Sequence, residues 1–141
     1  MSRRTLLCPW PPAQFSTGVG RMTTAEIVER YYDAWINRDG DMSEVPLADD
    51  FVFVGPVGNF DSADGFRAMA GQFGPAATDF TVRHRFVDGD RACAFVSWNL
   101  AAVPGTMTAA ELLEVRDGAL VRAEVIYDAE ELRKAAAAGR V

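Results

Sequence analysis

A glutamate set among apolar side chains is where this sequence points most directly to chemistry. Two segments rich in β-branched and apolar residues, 107 to 116 and 119 to 128, flank Asp117-Gly118. The register of that hairpin decides which side chains share a face. A two-residue turn would set Glu111 opposite Glu124, like charge against like charge. A three-residue loop, Arg116-Asp117-Gly118 with Gly118 as a left-handed bulge, separates them and is the register expected here. One face then carries Ala109, Glu111, Leu113, Val115, Val121, Ala123, Val125 and Tyr127, with Glu111 its only acid. A carboxyl withdrawn from water has its pKa raised, and serves as a neutral donor or as a base poised nearer neutrality. Pairing with an arginine, or a solvated place at a strand end, is the competing reading.

Other residue types offer less. Tyr31 can donate a hydrogen bond to a ligand oxygen, or simply pack its ring and point its hydroxyl at water. Trp35 and Tyr127 are candidate pocket walls, with Phe53, Val125 and Leu113 lining the same space, since aromatic and aliphatic bodies fill cores and pockets alike. His84, the sole histidine, alternates with Val82 and Phe86 and is expected to be half-buried. Asp128 follows the last strand, where an aspartate commonly caps the next helix. Cys93 has no adjacent base to make it a nucleophile. No ligand spacing for a metal is present, and no glycine-rich loop follows a strand, so neither a metal nor a nucleotide cofactor is expected.

The elements that must position these groups follow from periodicity and punctuation. Thr23-Thr24-Ala25-Glu26 is a capping box, and Ile27, Val28, Tyr31, Ala34 and Trp35 recur at helical spacing, predicting a helix from about Thr24 to Arg38. Pro46 to Asp50 reads as a turn or short helical stretch. Strands are expected at 51–54 and 57–60, then a helix capped by Asp61-Ser62 and stopped by Gly74-Pro75. Four longer strands, 79–87, 91–102, 107–116 and 119–128, form an antiparallel meander, followed by a terminal helix to about Ala138. The fold class is α+β, with helices covering one face of a curled antiparallel sheet.

The chain has 141 residues and a net charge of -6, enough for one domain. Arg3, Arg4 and Arg21 are the only charged residues before Met22, so the body is more acidic still, and nucleic acid is not an expected partner. No apolar run has membrane-spanning length, so no membrane partner is expected. Two cysteines, neither in a CxxC pair, fit a reduced, cytoplasmic setting, and thirteen arginines against one lysine fit a high-GC bacterium. Residues 1–21, rich in Pro, Gly, Ser and Thr, read as a flexible or loosely docked tail, and 22–141 as the domain.

The motifs Ile27-Val28-Glu29-Arg30-Tyr31-Tyr32-Asp33-Ala34-Trp35, Leu47-Ala48-Asp49-Asp50-Phe51, Gly55-Pro56-Val57-Gly58 and Glu114-Val115-Arg116-Asp117-Gly118, in this order, resemble the SnoaL-like group of the nuclear-transport-factor-like superfamily. That group shares a cone-shaped α+β barrel with ketosteroid isomerase. In the isomerase a tyrosine and a protonated carboxylic acid stabilise an oxyanion while a second carboxylate moves the proton. The resemblance places the tyrosine at Tyr31 and the carboxylic acid at Glu111. The proton-moving group falls near Gly55, and glycine cannot transfer a proton. What the resemblance implies is a cofactor-free acid-base enzyme of cyclase, isomerase or hydrolase type, acting on a small apolar oxygenated molecule with Glu111 and Tyr31 as catalytic candidates. A non-catalytic binding module or an association domain of the same fold are the alternatives. The charge-poor strand from Ala92 to Leu100 needs cover on both faces, and a homodimer supplies it.

Overall fold

The computed structural model describes residues 21–141, so the expected tail, apart from Arg21, lies outside the described residues. Helix α1 spans Thr24–Asn37, strand β1 Leu47–Gly55, β2 Gly58–Phe60 and helix α2 Ala63–Phe73. The meander follows as β3 Thr78–Asp88, β4 Arg91–Asn99, β5 Thr106–Arg116 and β6 Ala119–Tyr127, and α3 closes the chain at Glu130–Ala137. Pro46 to Asp50 is not helical, because β1 already begins at Leu47 and runs parallel to β6. The six-stranded sheet has the order β2-β1-β6-β5-β4-β3 and is antiparallel except for the β1–β6 pair. It curls without closing, and the helices fill its concave side.

Helix α1 starts where the capping box predicts. Thr23 Oγ1 accepts from the Glu26 amide at 3.1 Å and Glu26 Oε1 accepts from the Thr23 amide at 2.9 Å. Its inner stripe, Ile27, Val28, Tyr31, Tyr32, Ala34 and Trp35, is buried. Helix α2 begins after Ser62, whose hydroxyl accepts from the Gly65 amide, and lays Phe66 and Ala70 on the same core. Two glycines let the helices meet. A Cβ at Gly40, where φ is +81°, would lie 2.1 Å from the Ala70 carbonyl oxygen, and one at Gly74 would lie 2.0 Å from that of Asp39. Phe51, Phe66, Leu113 and Leu120 are fully buried in the core, each contributing roughly 2 kcal/mol by leaving water.

The last hairpin departs from the expected register. Asp117 and Gly118 both have positive φ, 54° and 78°, so the turn has two residues and the type I′ form. Beyond it Arg116 pairs with Ala119 and Val115 with Leu120, but Glu114 pairs with Arg122, leaving Val121 as a bulge. After the bulge Glu111 faces Val125 and Glu124 faces Leu112, so the two glutamates never meet. The bulge turns Leu120 inward in place of Val121.

A second bulge corrects the reading of His84. Val82 pairs with Val96 and His84 with Phe95, so Arg83 is the extra residue. His84 and Phe86 therefore leave the face of Val82 and stand exposed on the convex side. Arg85 turns to the helix side instead and pairs with Glu29 of α1 at 3.0 Å.

Candidate functional site

Glu111 is 4% exposed and is the buried charged residue of the concave face. Its alternation with Ala109 and Leu113 on β5 points it inward, and α1 supplies its partners from the opposite wall. Tyr31 donates to Glu111 Oε2 at 2.7 Å and Tyr32 donates to Oε1 at 2.9 Å. Burial pushes the carboxyl up to about 7, and the two tyrosine hydrogen bonds pull against that rise. Burial and the adjacent carboxylate hold both phenols well above their ordinary range, so they remain protonated donors. No arginine pairs with Glu111 among the described ion pairs.

Glu111 also lines a cavity of about 220 Å³. Trp35 from α1, Phe53 from β1, Val125 and Tyr127 from β6, Met69 and Phe73 from α2, and Phe80 from β3 form much of its wall. Val96 and Trp98 from β4, Phe60 from β2 and Leu132 from α3 complete it, with Gly55, Val57 and Gly58 at the β1–β2 turn. Trp35, Phe80 and Trp98 stack in series at centroid distances of 5.8 and 6.0 Å, so a continuous aromatic wall leads from α1 to β4. Tyr127 meets Trp98 edge-on at 5.5 Å, and burial raises its phenol's pKa, with Arg133 opposing.

The structure thus brings Glu111, Trp35, Phe53, Val125 and Tyr127 to one cavity and leaves two candidates behind it. Leu113 is in the core at 0% exposure, not among the cavity residues. Tyr31 is equally buried and does not line the cavity; its hydroxyl proton is directed to the carboxylate rather than to a ligand oxygen. Asp128 accepts from the Glu130 amide at 3.0 Å and thereby starts α3. At Gly55 an added Cβ would come within 3.2 Å of both Phe53 and Val125, so their side chains occupy the space of a carboxylate there. Tyr32, Phe80 and Trp98 are site residues that the sequence analysis did not single out. Tyr32 sits one residue from Tyr31 at a shared helix face, which is the signal that was available. The face Ala92, Ala94, Val96 and Trp98 is the inner one, and Ser97 lies outside.

Among the described residues no group of His, Cys, Asp and Glu has the arrangement of a metal site, and no helix is long and apolar enough to cross a membrane.

Residues 28–123 match the SnoaL-like domain family. Among solved structures, a protein from Kribbella flavida DSM 17836 is 30% identical with a TM-score of 0.69, over 80% of this chain and 93% of that one. A hypothetical protein with a ketosteroid isomerase-like fold from Catenulispora acidiphila DSM 44928, in complex with trimethylamine, is 16% identical with a TM-score of 0.63, over 77% and 90% of the two chains. An M. tuberculosis LEH-like epoxide hydrolase is likewise 16% identical with a TM-score of 0.63, over 82% and 90%. At that identity the last two show the fold alone. No curated protein matches the chain.

Proposed function

The chain belongs to the SnoaL-like family, and from that premise we propose that it is a cofactor-free enzyme in which Glu111 carries a proton to and from a small apolar oxygenated molecule. The observation that carries this reading is the carboxyl itself, buried in an apolar cavity wall, held by two tyrosines and titrating near 7. A base is most effective when its pKa lies near the working pH. An ionised carboxylate has about four lone-pair sites. The tyrosines take two of them, which leaves acceptor capacity for a substrate proton.

The favoured reaction class is proton transfer next to a carbonyl, as in isomerisation or cyclisation. Glu111 takes a proton from the carbon beside the carbonyl, and the electron pair moves onto the carbonyl oxygen. The same carboxylic acid then returns a proton to that carbon or to a conjugated one. Hydrolysis would also require a water positioned by further polar groups, and Glu111 is the one carboxylate in the cavity lining. Tyr31 and Tyr32 act as positioning residues that orient the carboxylate and limit the rise of its pKa. Small organic ligands suit this fold, as the trimethylamine complex of the Catenulispora relative illustrates.

The test uses 2-tetralone in D2O, followed by NMR at the carbon between its ring and carbonyl. The protein should accelerate exchange of that position for deuterium, and Glu111→Gln should abolish the acceleration, a loss of about 10²-fold or more. No acceleration by the wild type would assign the chain to ligand binding without catalysis, and an acceleration that survives the substitution would remove Glu111 from the proton transfer.

We further propose that the protein acts as a homodimer joined through the convex sheet face. His84, Phe95, Ala110 and Ile126 lie in one row across β3 to β6, and Phe86, Cys93, Leu112 and Glu124 in the next. Phe86, Phe95, Leu112 and Ile126 are 57, 43, 37 and 65% exposed, and a contiguous apolar patch of this kind favours an interface.

A further inference from the structure

Trp98 Nε1 is a buried donor with no hydrogen-bond partner among the described residues. The residue is 5% exposed and lines the cavity that holds Glu111. An indole N–H taken from water and left unpaired is costly, and buried tryptophans ordinarily find an acceptor. Its ring is fixed by Phe80 stacked on one face and by Phe73 and Tyr127 in edge-to-face contacts, so the donor is held in place.

We infer that Trp98 is a ligand-anchoring residue, whose N–H donates to an uncharged oxygen acceptor of the substrate, a carbonyl or ether. The inference rests on the cavity being a ligand site, as proposed above, and adds an anchor and a size. Glu111 and Trp98 both line the cavity, so one small molecule can meet the N–H with its carbonyl oxygen and the carboxyl with the carbon beside it. An apolar cavity of about 150 Å³ holds benzene, so one of about 220 Å³ takes one ring with substituents or a small bicycle. Larger ring systems would protrude past Leu132, which also borders the neighbouring surface cleft.

A cation is the competing occupant, since aromatic walls and one carboxylate suit an alkylammonium. The donor argues against it, because an N–H edge presents positive charge to the ligand. The test compares 2-tetralone, tetralin and benzyltrimethylammonium by titration calorimetry in the wild type and in Trp98→Phe, which keeps a ring against Phe80. The substitution should weaken 2-tetralone about tenfold and leave tetralin within about twofold. In the wild type the indole proton assigned to Trp98 should move downfield with 2-tetralone and not with tetralin, a readout that does not depend on the variant folding. Equal weakening of both neutral probes, or an indole proton unmoved by 2-tetralone, would show the N–H engaged on the Tyr127 ring and overturn the anchor. Tighter binding of benzyltrimethylammonium than of 2-tetralone would overturn the ligand class. Binding of no probe would remove the ligand site itself, whereas binding without deuterium exchange would touch only the catalytic reading.

Discussion

The two faces of the sheet invert the usual placement of polarity. On the concave face, where apolar groups are expected, β5 buries a carboxyl. On the convex face of the same strands, where polar groups are expected, Phe95, Leu112 and Ile126 stand in water. Each departure lowers the stability of an isolated chain: the first through desolvation, the second through apolar surface left uncovered. Local rules are broken most often where function resides. In the proposed reading the concave departure serves proton chemistry and the convex one association, and the two should respond to different perturbations.

The largest effect is expected on the convex side. Ile126→Asp places a charge at the centre of the exposed rows, and in an isologous dimer the charge is buried twice. Dimer dissociation should strengthen by more than about a thousandfold, or about 4 kcal/mol. Sedimentation velocity at micromolar concentration should show the wild type at twice the chain mass and the variant at the chain mass, with deuterium exchange in the cavity retained. A wild type that sediments as a monomer would leave the exposed rows without a partner and break the comparison on that side.

The concave side should appear in the pH dependence of stability. Glu111 titrates near 7 in the folded state, against an ordinary value of 4.5. The folded chain therefore holds a proton that the unfolded chain has released between those values, so stability falls as pH rises through that window and levels off above it. The total is about 3 kcal/mol. Urea unfolding at a series of pH values should show this decline in the wild type and not in Glu111→Gln, with other carboxylates contributing equally to both. Parallel profiles would mean that Glu111 titrates normally.

Much of this inversion was legible in the sequence, and the reason lies in parity. The expected hairpin register and the observed one differ by two residues in their pairing, and a strand's side chains alternate with period two. Glu111, Leu113, Val125 and Tyr127 thus share a face in either register. The two-residue turn alone would have reversed the relation between the strands. The bulge at Val121 reverses it back, at the cost of exchanging Val121 for Leu120 in the core. A bulge has no local signature strong enough to read from residue types, and the same blindness hid the outward turn of His84 at Arg83. Helix caps and turn residues are local, so the elements could be placed. The place of Tyr32 beside Tyr31 on the inner face of α1 was equally local, but the reach of its hydroxyl to Glu111 is a tertiary property.

The smallest effects separate the two tyrosines. Each donates a charge-assisted hydrogen bond to an oxygen of Glu111, Tyr31 at 2.7 Å and Tyr32 at 2.9 Å. These bonds favour the ionised carboxylate, since a protonated carboxyl has fewer sites to offer donors. Removing either hydroxyl should therefore raise the Glu111 pKa above its present value, by about one unit for a bond of this class. Tyr31→Phe should have the larger effect, because its bond is shorter and it has no exposure, leaving no water to replace the donor. Tyr32, at 2% exposure, borders the groove between α1 and β3, where water has a nearer approach. Carboxyl carbon NMR of Glu111 in the two variants reads the shifts directly, and at neutral pH deuterium exchange should slow in proportion to the carboxylate lost, without change in affinity for 2-tetralone. A lowered pKa in either variant would mean that the tyrosines hold the neutral acid in place rather than the base, which would reverse the direction of proton transfer assigned to the concave face while leaving its carboxyl at the centre of it.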